Sequence, residues 1–300
     1  MIRTTAVLAL IASAPLLNAA GLFFVQMSDP QFGMYTSNAD FSQETANFEF
    51  AIANVNRLRP SFVVVCGDLV NRADDVAQAA EYLRVAARLD RSIPLHNVAG
   101  NHDVENTPTP ASLAAYRAKF GPDYYTFRHA DFTGIVLNSS LIQHPEGAPQ
   151  ETAKQETWLL AQLQKFKAEG ARNVAVFQHI PFFLERADEA DQYFNIPLER
   201  RRKYLEILLK YGIRNVFAGH YHRNTSGRSG ALQMITTGPV GKPLGPDPSG
   251  IRVVIVRETT MESQYYGLGN IPNQVDLSAP AHSKVGQVGN LRPIGNRPIR

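Results

Sequence analysis

The chain contains the run Phe62-Val63-Val64-Val65-Cys66-Gly67-Asp68, in which five apolar residues are followed by a glycine and a carboxylate. Continuous apolar runs of this length are typical of strands that are buried on both faces of a parallel sheet. Residues at the carboxyl end of such a strand lie in the crevice where ligands collect in α/β proteins. We therefore expect Asp68 to lie at the edge of a central sheet, close to polar residues that follow other strands.

The same arrangement occurs at four other places, where a predicted strand is followed at once by polar residues. These strands span residues 22–27, 95–99, 174–177 and 215–218. The polar groups that follow them are, in chain order, Asp29-Pro30-Gln31, Gly100-Asn101-His102-Asp103, His179 and Gly219-His220-Tyr221-His222. Because the carboxyl ends of parallel strands meet at one edge, the sequence predicts a single site assembled from five distant segments.

Helical patterns alternate with these strands, which predicts an α/β fold. One helix carries Phe48, Ile52, Val55 and Leu58 on one face, and another begins at Thr109, has Pro110 in its first turn and ends before Gly121. Further helices are predicted over 75–89, 151–169 and 198–211. An antiparallel pair of strands is predicted over 124–127 and 134–137, and the strands over 232–236 and 251–256 close the domain. Loops are predicted over 139–149 and 180–197.

Composition limits the class of protein. With 300 residues, 44% of them hydrophobic, the chain is long enough for one α/β domain with a substantial core. The formal charge of +3 is modest and gives no case for nucleic-acid binding. Cys66 is the only cysteine in the chain, so it has no partner for an internal disulfide, and we expect a buried structural thiol.

The two ends of the chain differ from its middle. Residues 1–20 combine Arg3, an apolar stretch and small residues at 19–20, which favours a secretory signal peptide and a secreted or periplasmic protein with no stable membrane anchor after cleavage. The alternative is an amphipathic or buried N-terminal segment. The catalytic domain is expected over 21–266, and residues 267–300, rich in Pro, Gly, Asn and Gln, are expected to form a flexible basic tail.

The residue types in the five segments favour a pair of metal ions. Two cations about 3.5–4 Å apart need a shared ligand that offsets their repulsion, and Asp68 is the candidate bridge. The first metal is then expected to bind Asp29, Gln31 and His222, and the second Asn101, His179 and His220. We expect an extended segment to direct His222 to the same side as His220.

Such a site activates a bridging water, and the resulting hydroxide attacks phosphorus in line while the metals hold the phosphoryl oxygens. His102 is placed to protonate the leaving oxygen, with Asp103 as the expected group that orients its ring. The chain has neither the Gly-x-Ser-x-Gly turn of a serine hydrolase nor a phosphate-binding loop of the nucleotide-triphosphate enzymes, which argues against both classes.

The ordered set of motifs resembles the calcineurin-like metallophosphoesterase superfamily. The longer strings Gln178-His179-Ile180-Pro181 and Gly219-His220-Tyr221-His222-Arg223-Asn224 are similar to its branch of calcineurin-like phosphoesterase domain-containing proteins, which are serine/threonine phosphatases. The resemblance implies a four-layer α/β/β/α sandwich of two mixed β-sheets flanked by helices. It also implies a dinuclear metal centre and a phosphoester substrate, with phosphoproteins among the candidates.

Gln31 departs from the commonest superfamily pattern, because a histidine is usual at this place. An amide oxygen is a harder and weaker donor than imidazole, so the first site is expected to bind its metal less tightly and to accept oxygen-preferring ions such as Mn²⁺. Fe²⁺/Fe³⁺ and Zn²⁺ are the other candidates.

Three functions remain open from the sequence. The leading hypothesis is a phosphomonoesterase of the serine/threonine phosphoprotein phosphatase type. A phosphodiesterase acting on nucleotides or lipid head groups uses the same metals and differs only in its pocket walls. A non-catalytic metal-binding module would keep the site for stability alone.

Overall fold

The computed structural model describes residues 21–258 and 260–278. The strands of this part of the chain are β1 (Leu22–Met27), β2 (Val63–Cys66), β3 (Leu95–Val98), β4 (Tyr125–His129), β5 (Phe132–Val136), β6 (Asn173–Phe177), β7 (Asn215–Ala218), β8 (Thr225–Ser229), β9 (Leu232–Thr236), β10 (Gly250–Val256) and β11 (Met261–Gly267). The helices are α1 (Ser42–Leu58), α2 (Val76–Ala86), α3 (Asn101–Val104), α4 (Pro110–Phe120), α5 (Ser139–Gln143), α6 (Pro149–Ala168) and α7 (Leu198–Lys210).

The strands form two mixed sheets. The first has the order β11-β10-β1-β2-β3, and the second has the order β4-β5-β6-β7-β9-β8. In the first sheet β1, β2 and β3 are parallel neighbours, and in the second β5, β6, β7 and β9 are parallel neighbours. The parallel strands of both sheets therefore carry the segments predicted to form the site.

Three apolar clusters define the layers. One lies between the two sheets and contains Phe24, Phe62, Phe132, Phe177 and Phe217 among others. A second joins the outer face of the first sheet to helices α1, α2 and α4, and a third joins the outer face of the second sheet to helices α6 and α7. The predicted four-layer α/β/β/α sandwich is confirmed.

Helix α4 shows how local sequence sets an element. The Thr109 side chain accepts a hydrogen bond from the backbone N–H of Ser112, and Pro110 occupies the first turn, where its missing N–H leaves no bond unmade. Gly121 follows the last helical residue with φ of +93°, a conformation that glycine adopts without strain. The predicted start and end of this helix are therefore both found.

The structure differs from the sequence prediction at two edge strands and in one loop. Strands β8 and β11 were not predicted, because they are polar and lie at the outer edges of the sheets. The predicted loop over 139–149 contains helix α5, whose start is capped by the Asn138 side chain accepting from the N–H groups of Ser140 and Leu141. It also contains a short 3₁₀ turn, Pro145–Gly147.

The first part of the predicted flexible tail lies against the domain. Ile271, Val275 and Leu277 pack on the cluster beneath helix α1, and Arg57 donates a hydrogen bond of 2.6 Å to the backbone carbonyl of Asn273. Packing on the domain therefore continues past residue 267 among the described residues. Residues 279–300 of the tail and residues 1–20 of the predicted signal peptide lie outside the described residues. No helix among the residues described is long and apolar enough to cross a membrane.

Candidate metal centre

The predicted site residues meet at the carboxyl ends of the parallel strands of both sheets. Ligand atoms of Asp68, His179 and His220 all lie within 4.8 Å of one another, and so do those of Asp29, Asp68 and His222. Asp68 belongs to both groups, which is the arrangement that a bridging ligand requires. All five side chains are buried.

Backbone strain is concentrated at these residues. Positive φ values occur at Asp29 (49°), Gln31 (39°), Asp68 (49°), His220 (67°) and His222 (53°). Left-handed backbone is unfavourable for residues with a side chain and persists where the surrounding structure fixes it, most often at functional sites. The prediction that His222 follows His220 in an extended segment was wrong, because both residues are left-handed, yet His222 still reaches Asp29.

Glycines precede three of the predicted ligands because the backbones approach too closely for a side chain. A Cβ on Gly67 would lie 2.6 Å from the imidazole of His179, and one on Gly100 would lie 2.1 Å from the backbone nitrogen of Asp68. A Cβ on Gly219 would lie 1.6 Å from Oγ of Ser28. The glycines of the Gly-Asp, Gly-Asn-His-Asp and Gly-His-x-His motifs therefore allow the five segments to converge.

His179 presents one ring nitrogen to two acceptors at hydrogen-bond distance. Its Nδ1 lies 2.8 Å from the backbone carbonyl of Cys66, to which it donates, so Nε2 of the neutral ring carries a lone pair. Nε2 lies 3.1 Å from Oδ2 of Asp68 and 3.1 Å from Oδ1 of Asn101. Burial lowers the pKa of His179, but the charge and hydrogen bond of Asp68 outweigh burial and raise this pKa to about 9. In the metal-free protein a proton holds these acceptors together, and a metal ion can replace it.

His222 and His220 are also fixed by backbone carbonyls. Nδ1 of His222 donates to the carbonyl of Lys242 at 2.5 Å, which leaves Nε2 with a lone pair 3.2 Å from Oδ1 of Asp29. Nε2 of His220 donates to the carbonyl of Tyr193 at 3.1 Å, which leaves Nδ1 with a lone pair. Burial and the neighbouring His179 lower the pKa of His220 to about 4, so its ring is neutral. Carbonyl partners of this kind set the tautomer and orientation of metal-binding histidines.

The two amides complete the set of donors. Nε2 of Gln31 donates to Oδ1 of Asn71 at 3.1 Å, and its Oε1 is buried without a hydrogen-bond partner among the described residues. The amide nitrogen of Asn101 donates to Asn106 and to the hydroxyl of Tyr193, while Oδ1 faces His179. Each amide thus uses its N–H groups on protein acceptors and keeps its oxygen available.

His102 and Asp103 follow Asn101, but their predicted relationship is not found. The ring of His102 is oriented by the backbone carbonyl of Asn71, 2.9 Å from Nδ1, rather than by Asp103. Both oxygens of Asp103 accept from backbone N–H groups, those of Leu69, Val70 and Gly100. Asp103 therefore holds the loop that carries Asp68. Asp103 does not reach the ring of His102 because adjacent residues in a helical turn point in different directions.

Asp68 is held on two sides. Its Oδ1 accepts from the backbone N–H of His102 at 2.9 Å. Burial opposes its ionisation, but the facing imidazoles of His179 and His102 outweigh this and hold the pKa of Asp68 well below its usual range. Asp68 is therefore a carboxylate before any metal arrives.

Two residues that position the site, Ser139 and Tyr193, lie outside the sequence motifs. Oγ of Ser139 accepts from the backbone N–H groups of His179 and Ile180, which fixes the turn after β6. Tyr193, from the predicted loop over 180–197, places its ring centroid 4.9 Å from that of His220. The aromatic content of residues 182–194 was the only signal for Tyr193.

The donor set fits a pair of divalent ions. It consists of two carboxylates, two amide oxygens and three imidazole nitrogens, and these are ligands that Mn²⁺, Fe and Zn²⁺ accept. The lone pairs that converge on His179 and the unpaired Oε1 of Gln31 are unfavourable without a cation or proton between them. The residues present therefore fit the metals that the motifs predicted.

Comparison with known proteins now identifies the family. The model of the calcineurin-like phosphoesterase family matches residues 24–224, about two thirds of the chain. The chain belongs to the calcineurin-like phosphoesterase family. The predicted resemblance is confirmed, and with it a metal-dependent phosphatase.

The family relatives include named phosphatases. Human serine/threonine-protein phosphatase CPPED1 is 36% identical over 265 residues, which cover 83% of this chain and 84% of that protein. The zebrafish (Danio rerio) protein of the same name is 34% identical over 267 residues, which cover 83% of this chain and 85% of that protein.

Solved structures share the fold at lower identity. A dimetal phosphatase from Danio rerio superposes with a TM-score of 0.62 at 17% identity, covering 82% of this chain and 96% of that chain. Purple acid phosphatase PPD1 from yellow lupin gives a TM-score of 0.62 at 12% identity, covering 83% of this chain and 52% of that chain. GAP50, the anchor in the inner membrane complex of Plasmodium, gives a TM-score of 0.59 at 14% identity, covering 83% of this chain and 85% of that chain. At these identities the likeness establishes the fold and not the activity.

Proposed function

We propose that this metal-dependent phosphatase hydrolyses phosphomonoesters and acts on phosphoserine and phosphothreonine in proteins. The observation that carries the proposal is the convergence of Asp29, Asp68, His179, His220 and His222 beside a histidine, His102, that is oriented by a carbonyl and lies outside both ligand groups. The names of the relatives, which match most of this chain, support the protein-phosphatase part.

The chain would hold the two ions with the residues predicted from its motifs. Asp29, Gln31 and His222 would bind the first, Asn101, His179 and His220 the second, and Asp68 both. When bound, such a pair supplies an activated water for in-line attack on phosphorus and neutralises charge on the phosphoryl oxygens.

The residues of the chain supply orientation and the proton. The Asn71 carbonyl accepts from Nδ1 of His102, so Nε2 is the ring nitrogen left to give a proton to the leaving oxygen when the ring is doubly protonated. The backbone N–H of His102 is bonded to Asp68, which fixes the distance between this proton donor and the predicted bridging ligand. In this arrangement His102 protonates the leaving oxygen of a serine or threonine, whose alkoxide is a poor leaving group.

A substrate comparison tests the proposal. The metal-loaded protein is assayed with a phosphoserine peptide, p-nitrophenyl phosphate and bis-p-nitrophenyl phosphate under the same conditions. We expect turnover of both monoesters to exceed that of the diester. Faster cleavage of the diester would replace the proposal by a phosphodiesterase, and no hydrolysis of any substrate by fully metal-loaded protein would favour the non-catalytic module.

An inactive variant excludes a contaminating phosphatase. Asp68→Asn removes the predicted shared carboxylate and is expected to lower bound metal and all hydrolysis together by at least about 100-fold. Asp131→Asn, which changes the same charge at a residue whose side chain accepts from Asn173 away from the site, serves as the matched control. Activity that survives Asp68→Asn unchanged would come from another protein.

A further inference from the structure

A polar cavity separate from the metal centre lies between the outer strands of the two sheets. Its volume is about 320 Å³, and its walls come from β8 and β9 of one sheet and β10 and β11 of the other. Hydroxyl and amide side chains form most of the lining, and Arg252 is its only charged residue. None of the residues predicted to bind metal lines it.

The guanidinium of Arg252 is buried among neutral partners, and the residue is 8% exposed. Nε donates to Oγ1 of Thr237 at 2.7 Å, Nη1 to Oγ of Ser263 at 3.3 Å and Nη2 to Oδ1 of Asn224 at 2.8 Å. A guanidinium has five N–H groups, so two remain without a protein acceptor among these bonds. One is on Nη1 and one on Nη2.

No carboxylate balances this charge at close range. Among residues 21–258 and 260–278, the acceptors found for the Arg252 nitrogens are all neutral oxygens, and no ion pair within 4.0 Å joins them to a carboxylate. Tyr265, whose ring centroid lies 5.9 Å from Cζ of Arg252, and then Asp247 contribute attraction from further away, and Oδ2 of Asp247 already accepts from the backbone N–H of Asn224. Burial lowers the pKa of Arg252 to about 10, so the group is charged at neutral pH. A buried charge without a counter-ion is unfavourable, and an anion in the cavity would supply one.

We propose that this cavity binds an oxyanion of the phosphate class, held by the two free N–H groups of Arg252 and by the hydroxyl groups of Ser226 and Ser263. The planar fork of arginine matches two oxygens of a phosphate, and hydroxyl donors complete its hydrogen bonds. The anion comes either as free phosphate or as the phosphoryl group of a larger molecule. The inference does not depend on the activity proposed above.

The test uses full-length protein freed of metal with a chelator, so that phosphate has no metal centre to bind. Inorganic phosphate and O-phosphoserine are titrated separately, by calorimetry and by the ¹⁵N-¹H signal of the Arg252 Nε–H, which is assigned by its loss in Arg252→Lys. We expect saturable binding of at least one of the two, with a shift of that signal. Binding of inorganic phosphate identifies a site for the free anion, and binding of O-phosphoserine alone identifies a site for a phosphoryl group on a larger molecule.

Two matched variants place the binding in the cavity. Gln233→Glu puts a carboxylate into the lining, where it can pair with Arg252, and is expected to weaken anion binding by about tenfold or more. Gln264→Glu adds the same charge to an exposed residue of β11 outside the lining and is expected to leave binding unchanged. Absence of binding to the wild-type protein, or equal binding by both variants, would overturn the proposal.

Discussion

Nδ1 of His179 donates a hydrogen bond of 2.8 Å to the backbone carbonyl of Cys66, and this bond connects the second sheet to the first at the site. It leaves Nε2 facing Asp68 at 3.1 Å. Without metal, a proton on Nε2 stabilises this pair, which gives the metal-free protein a specific dependence of stability on pH.

We predict that the combined contribution of His179 and His220 to the stability of the metal-free protein is greatest near pH 6.5. The pKa of His179 is about 9 in the fold and about 6.5 when unfolded, so its contribution is complete below 6.5 and is lost as pH rises through 9. The loss is about 3 kcal/mol as an order of magnitude. The pKa of His220 is about 4 in the fold, so the unfolded chain takes up its proton first and stability also falls as pH drops from about 6.5 toward 4.

Denaturant unfolding of chelated protein between pH 4 and pH 9.5 measures this curve. The metal-loaded protein is the control, because a metal ion takes the place of the His179 proton and the alkaline loss should disappear. Equal alkaline slopes for the chelated and loaded proteins would contradict the prediction.

His102→Ala is expected to lower turnover most for substrates with poor leaving groups. A general acid contributes about 10²–10⁴-fold, and an alkoxide depends on it far more than a nitrophenolate does. The measurement is kcat for a series of phosphomonoesters whose alcohols differ in pKa, at full metal loading.

Asn71→Ala is compared with His102→Ala at full metal loading, because it keeps the backbone carbonyl that orients the ring but removes the side chain that accepts from the Gln31 amide. Its dependence on the leaving group should remain that of the wild type. Equal losses for good and poor leaving groups in His102→Ala would argue against proton donation.

Gln31→His is expected to change metal preference. Imidazole is a softer and stronger donor than the Oε1 of Gln31, so affinity at the first site should rise, and more for Zn²⁺ than for Mn²⁺. Competition with a chelator measures both affinities. Gln31→Ala, which removes the donor, should weaken both, and an unchanged ratio of Zn²⁺ to Mn²⁺ affinity in Gln31→His would show that Gln31 is not a ligand.

The interior strands and the motif residues were predictable because their signals are local. Val63–Cys66 is continuously apolar since it is buried on both faces, and helix α4 has its cap and its terminal glycine in the sequence. Strand β8 was not predictable, since Thr225–Ser229 has no apolar residue and becomes a strand only by pairing with β9. Long-range pairing of this kind overrides local preference.

The candidate site also divides into residues that local sequence identifies and groups that only the fold brings into place. The side chains of Asp29, Asp68 and His179 could be selected from their places after predicted strands. The carbonyls of Cys66 and Lys242, which orient two of the imidazoles, could not, because every residue has a carbonyl and only the fold decides which one faces a histidine. The predicted role of Asp103 failed for a related reason: nearness in sequence was taken for nearness of side chains.

Gly67→Ala is expected to damage both stability and metal binding, because Gly67 lies against the ring of His179. Its φ is +81°, and an added Cβ would lie 2.6 Å from Cγ and Nδ1 of that ring. The left-handed backbone costs about 1–2 kcal/mol for alanine, and displacement of a packed ring adds about 1–3 kcal/mol. Gly170→Ala isolates the first effect, because Gly170 has φ of +67° and its added Cβ would meet nothing within 4 Å. Denaturant unfolding should therefore show the larger loss for Gly67→Ala, and chelator competition should show weaker metal binding in that variant alone. If both variants lost equal stability and bound metal as the wild type does, the close approach of Gly67 to His179 would not be what requires glycine there.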